Sequence, residues 1–168
     1  MTMRILVKGA GVAGLATAWQ LYRHGFEVTV AERAERAGLG ASGFAGGMLA
    51  PWCERESAGE LVLTLGRHAA DWWDAALPGA VHRRGTLVVA GGRDAGELDR
   101  FAARTGGWQR LDEAALATLE PDLAGRFRTA LFFPQEAHLD PRQALSALAA
   151  ALEEARMPLL FGTEGDAR

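Results

Sequence analysis

Apolar positions along this chain follow two rhythms, and the switches between them outline its elements. Ile5, Leu6 and Val7 form a short apolar run that stops at Gly9, as expected of a buried parallel strand. Ala16, Ala18, Trp19 and Leu21 then recur at helical spacing as far as Gly25, and Val28 to Val30 make a second strand. From Arg33 to Glu56 the rhythm is lost in a stretch rich in Gly and Ala. It resumes between Ser57 and Leu77, where Leu61, Leu65, His68, Ala69, Trp72, Trp73, Ala76 and Leu77 share one broad helical face. Ser57 with Glu60 predicts a capping box for that helix, and Pro78-Gly79 predicts its end.

Beyond Val81 the pattern turns β-rich. Arg84 to Ala90 and Thr129 to Phe133 read as strands, with helices over 95–105 and 112–119 between them. Asp140 and Pro141 predict the N-cap and first position of a long helix whose apolar face holds Ala144, Leu145, Leu148, Ala151, Leu152 and Ala155. Pro158 to Phe161 predicts a third strand, the next member of the parallel sheet.

The first strand-to-helix turn carries the clearest chemistry. Gly9, Gly11 and Gly14 are spaced G-x-G-x-x-G, and Glu32 follows 18 residues after Gly14. Gly9 permits a tight turn, Gly11 lets backbone approach a pyrophosphate, and Gly14 lets helix and strand pack closely. The helix N-terminus offers N–H groups and partial positive charge to phosphates. Glu32, at the tip of the second strand, can accept hydrogen bonds from both hydroxyls of an adenosine ribose and repels a 2′-phosphate, which disfavours NADP. In the loop that follows, Gly40, Ser42, Gly43, Gly46 and Gly47 would let backbone pass close to a flat ligand.

Composition narrows the rest. The 168 residues, 49% of them hydrophobic, suffice for one sizeable domain or two small ones. A net charge of −3 gives no basic field for nucleic acid or an anionic membrane. The single cysteine, Cys53, forms no internal disulfide, which fits a reducing cytoplasm. No apolar run approaches the roughly 20 residues of a membrane span, and the first strand starts too early to leave room for a signal peptide. Ser42, Ser57 and Ser146 lack a nucleophile context, and the histidines show no metal spacing. His68, Arg83, Arg84 and Arg142 are adequately explained as structural or surface residues, and Trp72 and Trp73 as core or interface rather than a substrate platform.

Taken together, GAGVAGLATAWQL with Glu32-Arg33, and then GASGFAGGMLAP, resemble the N-terminal part of the D-amino-acid oxidase superfamily of flavoproteins, and within it the glycine oxidase branch that serves thiamine biosynthesis. The resemblance implies an α/β fold: a Rossmann-like parallel-sheet FAD-binding domain over 1–78 and 140–168, with an inserted α+β portion of a substrate-binding domain over 79–139. It implies FAD as cofactor, with Gly9, Gly11, Val12, Ala13 and Gly14 at the pyrophosphate and Glu32 and Arg33 at the adenosine. Ala41 and Ser42 would lie along the ribityl and phosphate portion, and Gly46, Gly47 and Met48 beside the flavin. Phe44 departs from the small residue the branch would carry there. The implied reaction oxidises the amine of glycine or a related small or D-amino acid to an imine, with oxygen as acceptor. Family members are longer, so the resemblance also implies a chain truncated at its C-terminal side, with no catalytic residue assigned and no metal. A homo-oligomer or a complementing C-terminal chain is then the expected partner besides the amino-acid substrate. Two other readings stay open at this point: a nicotinamide-dependent Rossmann oxidoreductase, and a non-catalytic remnant or assembly module.

Overall fold

A computed structural model describes residues 3–55, 57–163 and 165. The chain opens with β1 (Arg4–Lys8), α1 (Val12–Arg23) and β2 (Glu27–Glu32). It continues through β3 (Met48–Leu49), α2 (Pro51–Glu54), α3 (Glu60–Gly66), α4 (Ala69–Ala76) and β4 (Thr86–Val89). Next come α5 (Ala95–Arg104), β5 (Gln109–Asp112), α6 (Glu113–Leu119), β6 (Thr129–Phe133) and β7 (Ala137–His138), before α7 (Pro141–Glu154) and β8 (Leu159–Phe161). These elements form two units. One holds the described residues up to Gly47 and from Asp140 onward; the other spans Met48–Leu139.

The first unit is a three-stranded parallel sheet in the order β1-β2-β8, with Val7 opposite Val30 and Ala31 opposite Leu160. Parallel strands need a crossover between them, and α1 supplies the first one, burying Leu15 and Ala18. The predicted long helix is α7. Its Asp140 carboxylate accepts from the N–H groups of Arg142 and Gln143, and its Leu145, Leu148 and Leu152 are buried.

The second unit is antiparallel: β3 pairs with β7, and β4, β6 and β5 form a sheet with β6 central. Leu98 and Ala102 of α5 bury against Leu131 and Phe133 of β6. The unit begins at Met48, whereas the sequence reading gave 48–78 to the cofactor domain. Three links account for the difference. Met48 pairs with His138, the Cys53 N–H donates to Glu136 Oε1 at 2.8 Å, and Pro51 sits where a Gly66 side chain would stand.

The single helix expected over 57–77 is two. Gly66 closes α3, His68 caps α4, and α3 starts after Gly59, so Ser57 is no capping residue; its hydroxyl donates to the Glu54 carbonyl. Gly66 must lack a Cβ to lie against Pro51, and glycine is a weak helix former. Leu61 and Leu65, expected on a buried face, are exposed. The strand β5 is absent from the sequence reading because Gln109-Arg110-Leu111-Asp112 has little apolar content; pairing with β6 makes it a strand. Among the described residues no helix is long and apolar enough to cross a membrane.

Candidate cofactor site

The first glycine turn has the geometry its spacing predicts. Gly9 takes φ +100°, a region that favours glycine, and its N–H donates to the Ala31 carbonyl at 2.7 Å, tying the turn to β2. Gly11 is the extended N-cap of α1. At Gly14 a Cβ would stand 1.8 Å from the Gly9 carbonyl oxygen, so only glycine lets the helix start this close to the turn. Val12 and Ala13 lie exposed at the start of a three-turn helix whose own first turn carries no acid.

Glu32 is already engaged. Its Oε2 accepts from the Ala10 N–H at 2.7 Å and its Oε1 from the Ala34 N–H at 2.8 Å. The acid at the tip of β2 therefore fixes the glycine turn as well as facing outward. A carboxylate has about four lone-pair positions, so room remains for ribose hydroxyls. Those two N–H groups, helped by the charge of Arg33, hold the Glu32 carboxyl below its ordinary value of 4.5 against the opposing effect of burial. A lowered folded-state value makes this contribution complete above pH 4.5 and lost as pH falls through the lower value. Glu32→Gln, which can accept fewer of these bonds, should lower stability by about 1–2 kcal/mol at neutral pH. In urea unfolding the gap between the two proteins should shrink by about pH 3; an equal gap at both pH values would contradict this account.

Glu32 lines a cavity of about 290 Å³ with Lys8, Gly9, Ala31 and Arg33, at the carboxyl ends of β1 and β2. A slightly larger cleft of about 320 Å³, lined by residues such as Arg4, Tyr22 and Glu27, lies at the amino ends of the strands. Open α/β sheets bind ligands at the carboxyl ends, and both the glycine turn and the acid are there.

A second turn repeats the first. Gly38-Leu39-Gly40-Ala41-Ser42-Gly43 is also G-x-G-x-x-G. Gly38 takes φ +74°, Gly40 is extended like Gly11, and a Cβ at Gly43 would stand 1.9 Å from the Gly38 carbonyl oxygen. Only a single 3-10 turn, Ala41–Phe44, follows it. The two turns brace each other: the Gly38 N–H donates to the Ala10 carbonyl at 3.2 Å, and the Val12 N–H donates to Ser42 Oγ at 3.0 Å. A Cβ at Gly11 would lie 3.1 Å from that hydroxyl oxygen. The sequence reading noted the glycines from 40 onward but missed Gly38 and the repeat, although the spacing was there to be read.

Arg142 is more than the first-turn surface residue expected. Its Nε donates to the Gly43 carbonyl at 3.0 Å, and its guanidinium lies 5.8 Å from the centre of the Phe44 ring. Phe44, the residue that departs from the resembled branch, is exposed and has this cation as its neighbour. Gly46 is exposed, and Gly47 takes φ +70° at the end of the first unit. Met48, the last of the expected flavin residues, is exposed and opens β3 in the second unit. Arg83 is no free carboxylate clamp, because Asp71 and Asp74 both pair with it. His68 accepts from its neighbour Arg67 at the start of α4, and Trp73 is buried edge-on against Trp72.

Comparison with known proteins matches this architecture to one family. A Rhizobium etli protein, named provisionally as the thiamine biosynthesis oxidoreductase ThiO, is 79% identical over 164 residues, covering 98% of this chain and 50% of that protein. A D-amino acid dehydrogenase of Paramagnetospirillum magneticum is 41% identical over 86 residues, 45% of this chain and 20% of that one. The crystal structure of glycine oxidase from Geobacillus kaustophilus superposes with a TM-score of 0.78 at 25% identity, over 96% of this chain and 47% of that one. The chain thus spans about half the length of the relatives it matches end to end. The family pattern described as FAD dependent oxidoreductase matches residues 4–167 and decides the cofactor in favour of FAD over a nicotinamide. The chain belongs to the FAD dependent oxidoreductase family.

Proposed function

We propose that this chain forms the dinucleotide-holding part of an oxidoreductase that acts on the amine of glycine or a related small or D-amino acid, with oxygen as the acceptor. The observation that carries the reading is the pair of braced glycine turns beside Glu32. The names of the similar proteins, a glycine oxidase and a D-amino acid dehydrogenase among them, support the substrate class. The first unit is the FAD-binding domain and the second a portion of the substrate-binding domain. Cys53 remains a thiol in the cytoplasm, where we take the reaction to run.

The residues fit the cofactor as follows. Gly9, Gly11, Val12, Ala13 and Gly14 form the pyrophosphate turn at the positive end of α1. Ser42 accepts from the Val12 N–H and keeps its own proton for a phosphate oxygen, so the helix end polarises the hydroxyl that donates. Ala41 flanks it along the ribityl and phosphate portion. Glu32 takes the ribose hydroxyls and Arg33 flanks the adenosine. Gly46, Gly47 and Met48 offer backbone to the flavin. Bound there, FAD would supply the hydride acceptor for the carbon that bears the amine, and the residues above would hold it.

The test is a visible absorption spectrum of the purified protein, taken after FAD is added and the excess removed. Flavin bands should stay with the wild type and be lost from Gly11→Val, whose side chain meets the Ser42 hydroxyl and fills the approach to the pyrophosphate. A wild type that stays colourless, or a Gly11→Val variant that stays yellow, would overturn the reading and favour a remnant that keeps the sheet without the cofactor.

A further inference from the structure

The two glycine turns share a backbone but differ in support. The first continues into the three turns of α1, whereas the second continues into one 3-10 turn whose closing bond, from the Ala45 N–H to the Ser42 carbonyl, is long at 3.4 Å. Short 3-10 turns are marginal by themselves. Ala41, Phe44, Ala45 and Gly46 are all exposed and only Gly43 within the turn is buried, so the turn's own burial adds little to hold it in place.

Its support comes from α7. Arg142 and Leu145 stand three positions apart and share one face of that helix. Leu145 lies beneath Gly38, 3.1 Å from where a Cβ would be, at the start of the glycine motif. Arg142 reaches the Gly43 carbonyl at its end, from 99 positions along the chain, and covers the ring of Phe44. Ser42, whose hydroxyl meets the first turn at Val12, lies between these two holds.

We infer that Arg142 is a positioning residue for the cofactor: its bond to the Gly43 carbonyl and its contact with Phe44 fix the second glycine turn, and with it the Ser42 hydroxyl. The inference rests on the FAD reading above. It distinguishes Arg142 from a cation acting on the pyrophosphate through charge alone, because the atom engaged is a backbone carbonyl oxygen.

The experiment uses the full chain as wild type, Arg142→Met and Arg142→Lys, with two readouts. Amide exchange at Gly43 and Ala45 is measured without FAD, and FAD affinity by flavin fluorescence titration. Arg142→Met should exchange these two amides faster and bind FAD about tenfold more weakly, the loss expected from one charged hydrogen bond. Arg142→Lys keeps the charge and a donor, and should recover part of both effects. Unchanged exchange in Arg142→Met overturns the inference even if affinity falls, since charge alone would then explain the fall. Unchanged affinity overturns it as well and leaves the FAD reading standing. A wild type that binds no FAD overturns both.

Discussion

Gly14→Ala should cost at least about 3 kcal/mol of stability, a large share of the roughly 5–15 kcal/mol that a domain has in total. The added Cβ would stand 1.8 Å from the Gly9 carbonyl oxygen and 2.9 Å from its carbon. The obstacle is backbone and cannot rotate away as a side chain would. Relief requires α1 to lift from β1, which would open the packing around Leu15 and Ala18, both wholly buried. Gly43→Ala meets the Gly38 carbonyl oxygen at 1.9 Å, but Gly43 is the one buried residue of a single 3-10 turn, with no long helix to be lifted from a sheet. It should cost less stability than Gly14→Ala while weakening flavin retention. Gly46→Ala, with nothing within 4 Å of the new Cβ, is the control and should stay within about 0.5 kcal/mol of wild type. Urea unfolding of the three variants checks the order. Equal losses for Gly14→Ala and Gly46→Ala would refute the close approach at the first turn.

Glu136→Ala is expected to cost about 2–4 kcal/mol, from the lost hydrogen bond and the cavity together. Glu136 is 0% exposed. The helix α2 has Ala50 at its N-cap position, a residue with no side-chain acceptor, and Glu136 Oε1 takes the Cys53 N–H from 83 positions away. Glu136→Gln keeps an acceptor of the same shape and should lose under about 1 kcal/mol. A second readout follows from the thiol. Burial raises the Cys53 pKa, and Glu136, as hydrogen-bond acceptor and as neighbouring negative charge, raises it further. Native Cys53 should therefore react slowly with iodoacetamide, and Glu136→Gln should speed the reaction by about tenfold. If both substitutions cost the same and neither changes alkylation, Glu136 does not serve as the distant cap of α2.

The parts legible in the sequence were those where one residue type has one physical reason to be there. Gly9, Gly14 and Glu32 were read from spacing, and the turn, the close approach and the acid at the strand tip all have the expected geometry. Asp140 and Pro141 announced α7, and the apolar run at 158–161 announced β8. The failures have physical causes too. The break between α3 and α4 depends on Gly66 meeting Pro51, a tertiary contact that a helical rhythm does not register. The strand β5 is polar and exists through its partner. Arg142 looked like a solvated first-turn residue because its partner is a carbonyl oxygen, which every residue carries and no motif marks. The role of Glu32 in holding Ala10 was hidden for the same reason.

The sheet order has a consequence for how the protein assembles. Strand β8 pairs with β2, yet the whole of Met48–Leu139 is synthesised between them. Closing a loop about ten times longer than a minimal crossover costs about 2 kcal/mol more in chain entropy. The short ladder of β3 with β7 offsets this, because Met48 opposite His138 and Leu49 opposite Ala137 draw the two ends of the insertion together. The two-residue pairs of β3 and β7 thus close the insertion on itself, and the loop left for the parallel sheet to close is far shorter than the separation of β2 and β8 in the sequence.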